Sequence, residues 1–475
     1  MRVRFGAKMD NPRSFDVIVI GGGPGGYVAA IRAAQLGARV LLIERDQLGG
    51  TCVNRGCIPT KAMLADAKLY DHAKHSSVVK SEGLRVDMKQ LLSRKNEVVK
   101  RMETGVQFLI RNNGITFSQG KAKFIDRTTI EVEGQKGKEQ FEGKRIIIAT
   151  GSVSAQIPNV DVDGKVILTS TEMLEITSIP KELIIIGGGV IGMEFACLFN
   201  SLGSKVTVIE MLPEIISTED GEVIRGLTTF LKKKNIQIYT ETRVKEAKVK
   251  KGRVEVTVIE KDGKEVLFKA EKSLMAVGRS PYTDGLGLEK INVAFNGKFI
   301  KVNEKMETNI PGIYAIGDVT GKQMLAHKAS AEGIVAAENI SGHKTHADYS
   351  KIPNCIYTFP EVASIGLTEK QAKEKGLQVR IGRYPFQSNG RALAMGDSEG
   401  FVKVIAEKDL GQVVGVHILG DHATDMIGGL ALAMGLETTI DEMGKTIQAH
   451  PTLMEAVAEA SLDAIKEAIH LPKKK

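Results

Sequence analysis

Apolar positions along this chain switch between two periods, and the switches mark its elements. Residues 15–20, Phe-Asp-Val-Ile-Val-Ile, form a short, β-branched apolar run, the pattern of a strand buried in a parallel sheet. Gly21-Gly22-Gly23-Pro24-Gly25-Gly26 follows, then helical spacing through Gln35, closed by Gly37. A second apolar strand over residues 39–43 ends at Glu44. The order then repeats: residues 183–186, Gly187-Gly188-Gly189-Val190-Ile191-Gly192, a helix, a strand over 205–209 and Glu210. Gly23, Gly26 and Glu44 map onto Gly189, Gly192 and Glu210 at one constant offset.

Between these units, residues 68–113 carry helical spacing with charged faces. Strands are expected over 131–140 and 145–148, the latter leading into Ala149-Thr150-Gly151. A hairpin over 254–259 and 266–270 turns at Lys261-Asp262-Gly263-Lys264, and residues 274–279 close the second unit. Residues 313–316 read as a further strand, running into Gly317-Asp318. From about Tyr349 the pattern becomes antiparallel, with strands over 401–407 and 412–419. A last helix is expected over 452–469.

Each repeated unit is a βαβ with G-x-G-x-x-G at its first turn, the dinucleotide-binding arrangement. Gly21 and Gly187 permit the tight turn, Gly23 and Gly189 let the backbone approach a pyrophosphate, and Gly26 and Gly192 let helix and strand pack closely. The helix N-terminus supplies N–H groups and a positive dipole end to the phosphates. Glu44 and Glu210 stand where a carboxylate accepts hydrogen bonds from a ribose. Two such units imply two nucleotide cofactors. A carboxylate at Glu210 favours a free 2′-hydroxyl and repels a 2′-phosphate, and Met211 and Leu212 follow it rather than an arginine, so the second site reads as NAD.

Cys52 and Cys57 lie in Gly49-Gly50-Thr51-Cys52-Val53-Asn54-Arg55-Gly56-Cys57-Ile58-Pro59-Thr60-Lys61, just after the first unit. Pro59 suits a first helical position, and Met63, Leu64, Ala67 and Tyr70 follow at helical spacing. A thiol beside a helix N-terminus is lowered from about 8.5 and is partly thiolate at neutral pH. The pair therefore reads as a redox-active disulfide beside a nucleotide. Zinc wants four ligands, often two cysteine pairs, and the other cysteines, Cys197 and Cys355, lie in distant apolar runs; no metal site is expected.

The 475 residues exceed one hydrophobic core, and three or four domains are expected at roughly 100–200 residues each. The net charge of +8 is dispersed apart from Lys232-Lys233-Lys234 and Lys473-Lys474-Lys475, so it reads as solvated surface rather than a nucleic-acid footprint. Four cysteines are no secreted disulfide framework. No run reaches the roughly 18 apolar residues of a membrane span. The basic segment before Phe15 has no apolar core, and the cytoplasm is the expected compartment.

These residues resemble the pyridine nucleotide–disulfide oxidoreductases, and within them the dihydrolipoyl dehydrogenase sub-family. The likeness spans about residues 14–470 and rests on Gly49 to Lys61, Ala149-Thr150-Gly151, Gly187 to Glu194, Gly278-Arg279-Ser280-Pro281, Tyr314 to Val319, Met324-Leu325-Ala326-His327-Lys328-Ala329 and His450-Pro451-Thr452-Leu453. It implies an α/β fold: an FAD-binding Rossmann-like domain (14–152), an NAD-binding one (153–280), a central domain completing the FAD site (281–348) and an α+β dimerisation domain (349–475).

For the FAD site the resemblance implies Gly21, Gly23, Gly26, Glu44, Lys61, Thr150, Gly151, Asp318 and Ala326, with Asp318 on the ribityl chain. For the NAD site it implies Gly187, Gly189, Gly192, Glu194, Glu210 and Gly278. Lys61 is implied to sit near the flavin ring, paired with Glu194; read from the residues alone, both are equally solvated helix side chains. Cys52 is implied to be the exchange thiol and Cys57 the flavin-side one. His450 is implied to be the catalytic base, oriented by Glu455 and reaching the partner subunit's site in a homodimer.

Histidine titrates near neutral pH, which suits moving protons on thiols, and Pro451 keeps His450 extended. Thr452-x-x-Glu455 also reads as a capping box. The implied partner is a lipoyl-bearing acyltransferase or the carrier protein of glycine cleavage, with no nucleic acid and no membrane. Glutathione reductase-like enzymes share the disulfide and the His-Pro ending but use NADP, against Glu210. A non-catalytic scaffold is the alternative from another class, against the intact cysteine pair, His450 and both glycine loops.

Overall fold

A computed structural model of the chain describes residues 13–80, 82–135 and 137–472. The basic segment before Arg13 and the Lys473-Lys474-Lys475 run lie outside the described residues.

The β-branched runs do form buried parallel strands. In the first sheet, Thr116–Gln119, Val40–Glu44, Ser14–Ile20 and the C-terminal half of Gly137–Ile148 run parallel, and Ile313–Ala315 pairs alongside that last strand. The N-terminal half of Gly137–Ile148 pairs instead, antiparallel, with Thr129–Gly134, which pairs with Lys121–Phe124. Residues as distant as Leu286, Ile300 and Ile313 share one apolar core with Phe15, Ile18 and Ile146.

The second sheet is parallel throughout, in the order Gln237–Tyr239, Lys205–Ile209, Glu182–Ile186, Lys272–Met275, Ile167–Leu168. The repeat seen in the sequence is also a repeat in register: Ile20 lies opposite Ile43, and Ile186 opposite Ile209. A three-stranded antiparallel sheet, Arg243–Lys250, Arg253–Ile259 and Glu265–Ala270, carries the expected hairpin. The chain enters and leaves this half through two short antiparallel strands, Ser152–Ser154 and Arg279–Pro281. The C-terminal part is a five-stranded antiparallel sheet flanked by helices Ala423–Gly435 and Glu455–Ala464.

Three helix boundaries differ from the expectation, each for a local reason. The stretch 68–113 is two helices, Cys57–His75 and Met88–Asn112: Gly83 takes φ +72°, and the Asp87 side chain caps the second by accepting from the Lys89 and Gln90 N–H groups. Pro59 is the third residue of the Cys57–His75 helix, still within the first turn, where its missing N–H costs no helical bond. The last helix is Glu455–Ala464 rather than 452–469, and Lys466 at φ +65° turns the chain away after it. The capping box does not form. Glu455 accepts from the Thr452 N–H, but the Thr452 hydroxyl donates to the Ala449 carbonyl instead of accepting from the helix.

One buried cation joins the second sheet's half to the C-terminal sheet. Lys403, 1% exposed in the Phe401–Glu407 strand, donates to Asp220 Oδ1 and Glu222 Oε1 at 2.9 Å and to Glu369 Oε2 at 2.8 Å. Arg383 adds a two-pronged contact to Glu222. Arg383 and then Lys403 hold the Glu222 carboxyl down to about 2 against its burial. A carboxylate depressed by folding stabilises above its ordinary range near 4.5, and that contribution drains away as pH falls toward 2. Lys403→Met, which leaves the buried Asp220 without a cation while Arg383 stays on Glu222 and Lys373 on Glu369, is expected to cost about 3–5 kcal/mol near neutrality. Urea midpoints measured at neutral pH and at descending acid pH should show the gap from the parent narrowing; a gap that stays constant would remove the ion cluster as its cause.

Candidate active site

The two glycine turns are built alike. Gly21 and Gly187 have φ of +110° and +109°, and a Cβ on either would strike the next strand's carbonyl, Ala149 O at 2.2 Å or Ala276 O at 2.3 Å. A Cβ at Gly26 or Gly192 would meet the carbonyl of Gly21 or Gly187 at 1.8 or 2.0 Å. These four glycines are demanded by the fold itself. Gly23 and Gly189 are different: φ is ordinary, −71° and −74°, and a Cβ there meets no protein atom closer than 4.0 Å. Both line a large cavity and head the helices Pro24–Gln35 and Val190–Ser201. Glycine there keeps the backbone open to something outside the chain, as a pyrophosphate on a helix N-terminus requires.

Both terminal acids are locked in the same way. Glu44 accepts from the Gly22 N–H at 2.6 Å and the Asp46 N–H at 2.9 Å; Glu210 accepts from the Gly188 N–H at 2.5 Å and the Leu212 N–H at 2.7 Å. Each carboxylate is thus fixed on the cavity wall with lone pairs to spare.

The cavity, about 1860 Å³, is continuous between the two turns. Its wall gathers Gly21, Gly23, Glu44, Cys52, Cys57, Lys61, Thr150, Gly151, Asp318 and Ala326 together with Gly187, Gly189, Glu194, Glu210 and Gly278. Gly26 and Gly192 lie behind it, in the helix–strand contacts.

Cys57 is the first residue of its helix, capped by Gly56, and Cys52 sits in the preceding short helix Gly50–Arg55. Both are free thiols here. The hydrogen bond it accepts from Cys52 pulls the Cys57 thiol down to about 7 against burial, and the Lys61 charge adds to this. The same bond, with burial, pushes Cys52 up. Of the two sulfurs, Cys57 is the one whose surroundings favour the thiolate.

Lys61 and Glu194 are a pair, not solvated helix residues. Lys61 Nζ lies 2.7 Å from both carboxylate oxygens, Glu194 is 3% exposed, and Glu194 Oε1 also accepts from the Tyr357 N–H at 3.1 Å. The Lys61 ammonium stands 4.5 Å from the Tyr357 ring centre. Asp318, in the turn Gly317–Thr320, accepts from the Ser152 hydroxyl, which in turn accepts from Arg279 Nε at 2.6 Å. Thr150 Oγ1 donates to the Tyr282 carbonyl at 2.6 Å.

His450 and Glu455 are brought together but not to the cysteines. His450 Nδ1 is 2.8 Å from Glu455 Oε1, the imidazole is 78% exposed, and neither residue lines the cavity. Glu455 Oε2 holds the Thr452 N–H, so the two contacts use different oxygens of one carboxylate.

Several wall residues escaped the sequence reading. Tyr357, Cys355 and Arg243 arrive from remote segments, Arg243 directly after Thr242, whose N–H bonds the Glu210 carbonyl, and Ser152 directly follows the Ala149-Thr150-Gly151 run. The Arg279 contact was within reach only through the Gly278-Arg279 motif. Among the described residues, no group of three or more His, Cys, Asp or Glu stands close enough to hold a metal ion.

A cysteine pair at the junction of two dinucleotide cradles defines a disulfide oxidoreductase. The pyridine nucleotide-disulphide oxidoreductase family model matches residues 15–333 and the model of its dimerisation domain matches 352–461, so the chain belongs to that family. It is 43% identical over 469 residues to a dihydrolipoyl dehydrogenase of Bacillus subtilis, covering 96% of this chain and 99% of that one. It is 40% identical over 464 residues to the mitochondrial dihydrolipoyl dehydrogenase of Pisum sativum, covering 96% and 92%. The crystal structure of LpdA from Mycobacterium tuberculosis superposes with a TM-score of 0.88 at 26% identity, covering 94% of this chain and 98% of that one.

Lys61→Met is expected to move the first proton loss of the reduced pair upward from about 7, because removing a nearby cation disfavours the thiolate. The pH dependence of thiolate absorption in the reduced, flavin-free chain reads this out. An unchanged midpoint would show that Lys61 does not act on Cys57.

Proposed function

We propose that the chain oxidises protein-bound dihydrolipoamide to lipoamide and reduces NAD⁺ to NADH and H⁺, through Cys52, Cys57 and bound FAD. The observation that carries this reading is the cavity that joins both glycine cradles over a cysteine pair with one lowered thiol. The first cradle would hold FAD, with Glu44 for its ribose, Asp318 for its ribityl chain and Ala326 beside it on the cavity wall. The second holds NAD, with Glu210 at its ribose. The units assigned are FAD-binding (14–152), NAD-binding (153–280), central (281–348) and interface (349–475). FAD, when bound, would supply the two-electron carrier between the dithiol and NAD⁺.

His450 takes a proton from a substrate thiol. Glu455 holds Nδ1, which leaves Nε2 as the basic nitrogen. The substrate thiolate attacks Cys52 of the Cys52–Cys57 disulfide; a new S–S bond forms and the old one breaks, with Cys57 leaving as thiolate. Attack at Cys52 follows the order that the family resemblance implies, and the Lys61 charge beside Cys57 favours its departure as thiolate. Lys61, itself anchored by Glu194, stabilises the negative charge. The second substrate thiol then passes its proton to Cys52 as its sulfur displaces Cys52 from the mixed disulfide, and two electrons remain in the enzyme as the Cys52 thiol and the Cys57 thiolate, with the other proton on His450.

The placement of His450 outside its own chain's cavity supports a site completed by the second subunit of a homodimer. Among the described residues no helix is long and apolar enough to cross a membrane; the cytoplasm is the proposed compartment, and a lipoyl-bearing acyltransferase or glycine-cleavage carrier the proposed partner.

The purified chain should form NADH from dihydrolipoamide with NAD⁺ far faster than NADPH with NADP⁺. Cys52→Ser and Cys57→Ser should each abolish turnover while retaining FAD, and full activity in either would defeat the mechanism. Co-refolding Cys52→Ser with His450→Gln chains should restore about a quarter of parental activity, since randomly paired C2 dimers regain one intact site in each mixed pair. No recovery, with mixed dimers verified by mass, would place His450 in its own chain's site.

A further inference from the structure

Lys328 and Glu332 form an ion pair with each side chain 1% exposed, four residues apart on the helix Ala326–Ile340. A buried pair is a poor device for stability, because its desolvation cost rivals its attraction, and apolar replacements are often neutral or better. The contacts around it suggest another use.

The three donors of the Lys328 ammonium are all taken: the Gly317 carbonyl at 3.2 Å, the Gly321 carbonyl at 3.3 Å and Glu332 Oε2 at 3.1 Å. Glu332 Oε2 also accepts from the Gly317 N–H at 2.7 Å, and Oε1 accepts from the Tyr349 hydroxyl at 2.6 Å. The pair therefore grips the N–H and the carbonyl of Gly317, and the far end of the same turn at Gly321. Asp318 is the next residue after Gly317. Gly317 has φ +75°, so the pair holds a backbone conformation that the chain adopts reluctantly. The helix that carries it also crosses Pro24–Gln35 at near backbone contact: a Cβ on Gly333 would lie 2.5 Å from the Gly25 carbonyl.

We propose that Lys328, Glu332 and Tyr349 are positioning residues for the flavin: the buried pair sets the turn that presents Asp318 and ties it to the helix Ala326–Ile340, which packs on the helix Pro24–Gln35 that faces the pyrophosphate. This rests on FAD occupying the first cradle. Tyr349 extends the grip to the segment leading into the C-terminal sheet, so one carboxylate reports the seating of that segment to the flavin acid.

The test measures FAD dissociation from the full chain by dialysis and visible absorbance, the flavin midpoint potential, and melting of the FAD-free chain. The variants are Lys328→Met, Tyr349→Phe and the double variant Lys328→Met/Glu332→Gln. The last removes both charges while keeping an acceptor for the Gly317 N–H. Lys328→Met is expected to weaken FAD binding about tenfold or more, the worth of charge-assisted bonds lost from the turn, and to shift the flavin potential. Tyr349→Phe should do the same more mildly, and it decides the matter if Lys328→Met does not fold. The double variant should stay defective, because the bonds from Lys328 to both glycine carbonyls are gone. Restored binding and potential in the double variant would show that the pair merely cancels its own charges and would overturn the proposal, as would single variants that hold FAD like the parent. A parent chain that binds no FAD would instead defeat the reading of the first cradle on which the proposal rests.

Discussion

The Glu194 carboxylate is where the chain's separate parts are brought to one point. It accepts Lys61 on both oxygens and the Tyr357 N–H on one, so the cysteine-bearing helix, the helix heading the second nucleotide turn and the strand entering the C-terminal sheet are all referred to it. A carboxylate 3% exposed cannot remain charged without such partners. The same lysine lowers Cys57. Structural closure and thiol chemistry therefore share one ammonium, and neither can be altered alone.

The two nucleotide units were legible because their determinants are local. A tight turn, a close helix–strand contact and a terminal acid are each fixed by a few residues within one βαβ, and spacing alone carries them. The His450–Glu455 pair came only from the family resemblance, since the residues alone offered a capping box at Thr452 and Glu455. Lys61 and Glu194 are separated by 133 positions, and nothing local distinguishes a paired lysine from a solvated one. Lys403 was invisible on the same grounds: it sits in a strand pattern that only the packing of remote acids renders buried. Where local reading failed, at the capping box and the ends of the last helix, the chain found a different partner for the same groups. Thr452 turned its hydroxyl back to Ala449, and Glu455 gave its second oxygen to a histidine.

The glycines separate in the structure as the motif assigns them. Four are required by neighbouring protein carbonyls, and Gly23 and Gly189 are not. The second kind marks space kept clear for something else. The match between the two halves, in register as well as in spacing, extends to the way each terminal carboxylate seizes the second glycine's N–H.

The two-stranded stalk, Ser152–Ser154 against Arg279–Pro281, places the entry and exit of the intervening segment side by side, with Ser154 opposite Arg279. A segment so attached is a module on a clasp: a short turn joining the two strands would close the chain without it. The clasp is also a lever. Ser152, in its first strand, touches both Asp318 and Arg279. A swivel of the nucleotide-reducing half about its stalk would pull on the acid assigned to the flavin side chain, so motion in one half becomes tension in the other.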